Sequence, residues 1–139
     1  MKKKILITTG GSGGHVLPAI TIYDHLKVEY DVLISTDLRG RKYLDSDIYK
    51  VFVVNTPKLN KLILFPFAII KVFFLTLKSL FLLKREKIEI LISTGGYMSL
   101  PLCLAAKVGN IKIFLLEPNM IIGRANRFFL NFCEKIICY

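Results

Sequence analysis

Three short apolar runs each end in a cluster of glycine or polar residues, and this repetition constrains the fold more than any other feature of the chain. Ile5-Leu6-Ile7 leads to Gly10-Gly11-Ser12-Gly13-Gly14-His15. Ile90-Leu91-Ile92 leads to Gly95-Gly96-Tyr97-Met98-Ser99-Leu100-Pro101. Ile113-Phe114-Leu115 leads to Glu117-Pro118-Asn119, then Gly123 and Asn126-Arg127. A short apolar run closed by a turn and followed by a longer amphipathic stretch reads as a strand handing over to a helix.

The alternation persists along the chain. Strands are expected over 4–9, 31–36, 50–54, 88–92, 111–116 and 134–138. Helices are expected over about 15–28, 62–83, 99–108 and 122–132, with a helical turn in 38–47. Pro18 is expected in the first turn of the first helix, where a missing N–H costs little. Alternating strands and helices predict an α/β fold with a Rossmann-like, doubly wound parallel sheet. The 139 residues suffice for one domain, 1–139. In such a sheet ligands bind outside the carboxyl ends of the strands, so the three motifs predict one composite site. The chain stops at Tyr139 just as a sixth strand forms, which points to a longer polypeptide or to the first half of a split pair.

Charge narrows the partners. The formal net charge is +10, which suits phosphate, either on nucleic acid or on an anionic membrane. Seven of the twenty basic residues lie between Lys58 and Lys87, beside the single acid Glu86 and within the most apolar part of the chain. Basic and apolar together favour a membrane surface over nucleic acid. After Pro57, the segment 62–83 would span about 33 Å as a helix, enough to cross a bilayer. A crossing would put Gly10–His15 and Gly95–Asn126 on opposite sides and break the composite site. The segment is therefore read as a helix lying on the surface. Lys71, Lys78 and Arg85 recur every seven residues as one basic stripe, and Phe67, Phe74 and Phe81 flank it. These six are the expected membrane contacts. Lys2-Lys3-Lys4 opens a strand rather than a signal peptide, because the apolar run behind it breaks at Thr8-Thr9-Gly10. Cys103, Cys133 and Cys138 show no metal-ligand spacing and read as reduced thiols.

The first glycine motif is neither a P-loop nor a dinucleotide fingerprint. No Gly-Lys-Ser/Thr follows, and the pattern begun at Gly11 fails at Val16. Its mechanics survive. Glycines bring backbone N–H groups close to a ligand, and a helix N-terminus favours an anion such as a diphosphate. His15, in the first helical turn, can accept a proton from a hydroxyl, hydrogen-bond a substrate, or cap the helix. Tyr97 and Ser99 offer hydroxyls, with Ser99 also placed to cap the next helix. Glu117 and Asn119 suit sugar hydroxyls.

In this order and spacing the motifs resemble the amino-terminal domain of the MurG family, the UDP-N-acetylglucosamine:lipid I N-acetylglucosaminyltransferases of peptidoglycan synthesis. G-G-T-G-G-H-x-x-P-A is met by Gly10 to Ala19 with Ser12 for Thr, and G-G-Y-x-S-x-P-x-x-L-A-A by Gly95 to Ala106. H-E-Q-N followed by G-x-x-N-[RK] is met by Glu117 to Arg127, with Leu116 for His and Pro118 for Gln. The resemblance covers nearly the whole chain. It implies the N-terminal half of a GT-B glycosyltransferase, with the C-terminal donor-binding domain absent from this chain. It implies transfer of N-acetylglucosamine from UDP-N-acetylglucosamine to the C4 hydroxyl of the muramyl sugar of lipid I, with inversion and with no metal or cofactor. His15 and Glu117 would be catalytic. Ser12, Gly13, Gly14 and Asn119 would reach the donor. His15, Gly95, Gly96, Tyr97, Ser99 and Asn126 would line the acceptor side. Undecaprenyl-linked lipid I, UDP-N-acetylglucosamine, an anionic membrane surface and the missing domain would be the partners, with no nucleic acid. The place would be the cytoplasmic face of the bacterial plasma membrane, peripherally.

Three rivals compete with this reading. One is a related glycolipid glycosyltransferase, disfavoured by Gly-Gly-Tyr-x-Ser-x-Pro. Another is a non-catalytic membrane-anchoring subunit of a split transferase. The third is a nicotinamide-dependent oxidoreductase with Asp37 as the ribose acid, disfavoured by the missing third glycine.

Overall fold

A computed structural model describes residues 2–45, 47–56 and 65–138. The expectations at Pro57, at 62–64 and at Tyr139 lie outside the described residues. Six strands form one parallel sheet: β1 (Lys4–Thr8), β2 (Asp31–Thr36), β3 (Val51–Val53), β4 (Ile90–Ser93), β5 (Lys112–Glu117) and β6 (Lys135–Cys138). Their order is β3-β2-β1-β4-β5-β6. β1 lies at the centre, with Leu6 opposite Leu33 on one side and Leu91 on the other. The order in which successive strands are added reverses beside β1, between β1 and β4, and makes the switch point where such sheets bind ligands.

Four helices connect the strands: α1 (Gly13–Leu26), α2 (Phe65–Arg85), α3 (Leu100–Val108) and α4 (Arg124–Phe129). Strand side chains alternate between faces, and two cores follow. Leu6, Leu33, Leu91, Ile113 and Leu115 meet Leu83, Leu102, Ala105, Ala106 and Phe129 of α2, α3 and α4. Ile5, Ile7 and Val32 point the other way, onto Ala19, Ile22 and Leu26 of α1.

α1 begins two residues before its expected start, so Pro18 lies inside the helix rather than in its first turn. Pro18 gives no N–H to the Gly14 carbonyl. The expected 122–132 helix divides into α4 and a 3-10 turn at Leu130–Phe132. Both α2 and α3 close with one device. Lys87 and Asn110 take positive φ, 55° and 54°. The next N–H then reaches back, Ile88 to the Leu83 carbonyl and Ile111 to the Ala106 carbonyl, at 2.9 Å in each case. This is the Schellman closure, and buried Ile88 supplies its apolar contact.

α2 is the crossover from β3 to β4, two strands of the same sheet, so both of its ends belong to one body. Among the described residues no helix is long and apolar enough to cross a membrane. Ala68, Val72, Ser79 and Leu83 bury one face of α2. The opposite face leaves Phe67 71%, Phe74 57% and Phe81 68% exposed, with Ile70, Phe73 and Leu77 beside them. Lys71 and Lys78 are exposed next to this apolar band. Arg85 departs from the expected free stripe, because its Nη2 pairs with Glu86 at 3.0 Å. Glu86 also meets Lys4 at 3.9 Å and Lys50 at 3.6 Å. The Arg85 hydrogen bond holds its carboxyl below the usual range.

Candidate active site

The carboxyl ends of the strands carry a buried polar layer: Thr8 and Thr9, Ser35, Thr36 and Asp37, Ser93 and Thr94, and Glu117. Thr94 ties the second loop to the first through the His15 carbonyl, while the Ser35 and Thr36 hydroxyls have no partner among the described residues. The first and second glycine loops touch through backbone. A Cβ at Gly96 would stand 3.0 Å from the Gly10 Cα. Gly95 and Gly96 also take φ of 91° and 86°, a region costly for any side chain. The third loop joins them through Asn126, whose Nδ2 would lie 3.2 Å from a Cβ on Gly95. The three motifs therefore share one rim.

His15 sits where these loops meet. Its Nδ1 lies 2.8 Å from the Thr94 carbonyl, and the Thr94 hydroxyl donates to the His15 carbonyl at 3.1 Å. A carbonyl only accepts, so Nδ1 carries the hydrogen. In a neutral ring the lone pair is then on Nε2, which has no partner among the described residues. Of the roles open at the sequence level, the ring does not cap its helix. It is a fixed imidazole with an acceptor nitrogen to offer.

Glu117 is 1% exposed and ends β5. Its Oε1 accepts from the Asn119 N–H at 3.2 Å and from Asn119 Nδ2 at 2.8 Å. Its Oε2 accepts from the Gly123 N–H at 2.8 Å and from Asn126 Nδ2 at 3.1 Å. Burial would push this carboxyl up. The Gly123 N–H and the Asn119 and Asn126 amides outweigh burial and hold it below its ordinary value. Both oxygens thus accept two hydrogen bonds each, and Glu117 holds its own loop in shape. Asn126 gives its second amide hydrogen to the Leu116 carbonyl at 3.1 Å, while its buried Oδ1 has no partner among the described residues. Asn119 is exposed at the rim, as is Ser12, whose side chain does not cap α1. Gly13 and Gly14 open α1 beside it.

Ser99 differs from expectation. It is wholly buried, and its hydroxyl donates back to the Gly96 carbonyl at 2.7 Å instead of capping α3. It braces the second glycine loop from below. Tyr97 is half-buried and its phenol is at the rim. Cys103 lies beneath, where burial pushes its thiol up to about 12 against the pull of Ser93 and Ser99.

Sequence reasoning missed a fourth strand-end loop, the one after β2. Asp37 is 5% exposed. Its Oδ1 accepts from the Arg39 N–H at 3.0 Å and the Gly40 N–H at 2.8 Å, and its Oδ2 from Arg39 Nε at 2.9 Å. This carboxylate is committed within its own loop, against the ribose role of the oxidoreductase reading. A Cβ at Gly11 would collide with the Asp37 carboxylate, which its own loop holds in place, so the first loop has no room for a side chain there. The signal was present: Val32-Leu33-Ile34 also ends in a polar turn with glycine, Asp37 to Gly40. Among the described residues no group of three His, Cys, Asp or Glu side chains could hold a metal ion.

Residues 5–138 match the glycosyltransferase family 28 N-terminal domain. The UDP-N-acetylglucosamine--N-acetylmuramyl-(pentapeptide) pyrophosphoryl-undecaprenol N-acetylglucosamine transferase of Pelagibacter ubique is 53% identical, over all of this chain and 39% of its own length. The transferase of the same name from a Wolbachia of Brugia malayi is 38% identical, over 95% of this chain and 37% of its own length. The chain thus spans well under half the length of these relatives. Among solved structures, Acinetobacter baumannii MurG superposes with a TM-score of 0.84 at 21% identity, over 98% of this chain and 41% of that one. At that identity the superposition speaks for the fold.

Proposed function

Because this chain belongs to glycosyltransferase family 28, as the N-terminal domain over residues 5–138, and within it to the MurG family, we propose that it is the acceptor-binding half of an inverting N-acetylglucosaminyltransferase. The acceptor is a lipid-linked muramyl sugar and the donor is UDP-N-acetylglucosamine. The sugar C4 hydroxyl attacks the anomeric carbon of the donor, the bond to UDP breaks, and the hydroxyl proton passes to His15 Nε2. No covalent enzyme intermediate forms. One observation carries this reading: the Thr94 carbonyl fixes Nδ1 as the protonated nitrogen, leaving Nε2 as the base at the junction of three loops. Ser12, Gly13, Gly14 and Asn119 face the donor. Gly95, Gly96, Tyr97 and Asn126 shape the acceptor side, and Glu117 holds their loop.

The donor would be held by a second domain in the same enzyme. The 139-residue chain alone is expected to give no turnover with UDP-N-acetylglucosamine and lipid I, and to give turnover once a donor-binding domain is supplied. Turnover by the chain alone would refute the division of labour.

The exposed face of α2 lies on the cytoplasmic membrane surface in this proposal. Its aromatic band enters the interface, and Lys71 and Lys78 meet anionic headgroups. Each such lysine contributes about 1 kcal/mol. Changing both to glutamine is expected to weaken co-sedimentation with phosphatidylglycerol vesicles by roughly thirtyfold and to leave binding to neutral vesicles unchanged. Equal losses on both vesicle types would count against the electrostatic part.

A further inference from the structure

The loop after β2 is absorbed by none of these roles, yet it reaches the ligand rim. Arg39 is anchored to Asp37 through Nε at 2.9 Å and Nη2 at 2.8 Å. The same Nη2 extends to the Tyr97 phenol at 3.3 Å. The bridge runs from the β2 end to the β4 end, across the β1 loop between them. Asp37 itself is buried and held by two backbone N–H groups, so the guanidinium starts from a fixed base.

We infer that Arg39 is a positioning residue for Tyr97, fixing the phenol as a hydrogen-bond donor to an oxygen of the acceptor substrate. Guanidinium has no lone pair to offer, so Tyr97 Oη accepts in this contact and its own hydrogen points elsewhere. The adjacent cation also strengthens the phenol as a donor. His15 shows the opposite polarity: with the hydrogen on Nδ1, Nε2 of the neutral ring accepts. The rim therefore reads two neighbouring features of one molecule: a hydroxyl hydrogen at His15, and a carbonyl or phosphate oxygen at Tyr97. A sugar bearing a free hydroxyl together with an amide or a phosphate offers both. A hydroxyl oxygen can accept from Tyr97 as well, but a carbonyl or phosphate oxygen is the stronger acceptor.

The inference rests on the acceptor reading above, and one titration separates the two. The chain is titrated calorimetrically with a water-soluble, short-prenyl analogue of lipid I, as wild type, Tyr97→Phe, Arg39→Met and the double variant. Each single change is expected to weaken binding by about five- to tenfold, the range of one hydrogen bond. The double variant should be no weaker than Tyr97→Phe, because both changes remove one contact. Arg39→Lys should recover part of the loss. Arg39→Met leaves the buried Asp37 Oδ2 without its guanidinium and should lower the thermal midpoint, so binding is compared well below the midpoint of every variant; Arg39→Lys keeps a cation beside Asp37 and should stay nearer wild type. Wild-type affinity in Arg39→Met, or losses that multiply in the double variant, would overturn the inference and leave the acceptor reading standing. No binding by the wild-type chain would remove both.

Discussion

Replacing His15 with alanine is expected to lower kcat by two to four orders of magnitude in the transferase assembled with its donor-binding domain, with a much smaller change in KM for the acceptor. A positioned general base contributes about that much. The split between kcat and KM follows from where the ring acts, since a proton taken in the transition state leaves ground-state binding largely alone. The change also removes the hydrogen bond to Thr94, worth about 1 kcal/mol, so the domain should remain folded. His15→Asn sharpens the test. An amide can still donate to the Thr94 carbonyl, but it offers no basic nitrogen. It should be as slow as the alanine variant while melting closer to wild type. Turnover within tenfold of wild type in either variant would exclude His15 as the base.

Glu117→Ala is expected to be the most destabilising single change in the rim. It leaves the Asn119 and Gly123 N–H groups and two side-chain amides without their acceptor. Donors stranded in this way, after loss of bonds to a charged partner, cost about 3 kcal/mol or more in total, or a fall of roughly 10 °C in Tm for a domain of this size. Acid should act on the same contact. The folded carboxyl titrates below its ordinary value of 4.5, so it stabilises the fold fully above that value. That contribution falls as pH drops through the folded pKa. Glu117→Gln should remove this acid limb from the stability profile while keeping the volume. An unchanged acid limb in Glu117→Gln would show that another carboxylate sets it.

The first five strands were legible because each is an apolar run closed by turn residues, the sixth as an apolar run alone, and all six lie close to their expected positions. The convergence of the glycine loops was legible too, since a parallel sheet leaves only its carboxyl edge for them. Roles that depend on which atom meets which were not. Glu117 and His15 both look like reacting groups in a sequence. Only the four donors around the first, and the single carbonyl beside the second, separate a carboxylate committed to its loop from a ring with a nitrogen left over. Ser99 looked like a ligand hydroxyl for the same reason, and its burial under Gly96 is a tertiary fact. Arg39 was invisible because its partner Tyr97 is far along the chain, joined to it only by the strand order.

An uninterrupted run joins α2 to Tyr97: the tight closure at Lys87, then buried Ile88, then β4 locked between β1 and β5. In the membrane contact proposed above, the outward helix and the loop rim are rudder and bow of one hull, and a protein settling on a flat surface by that helix arrives with its rim at a set inclination. A substrate whose tail is confined to the same plane is then found by a two-dimensional search, with the aim already taken.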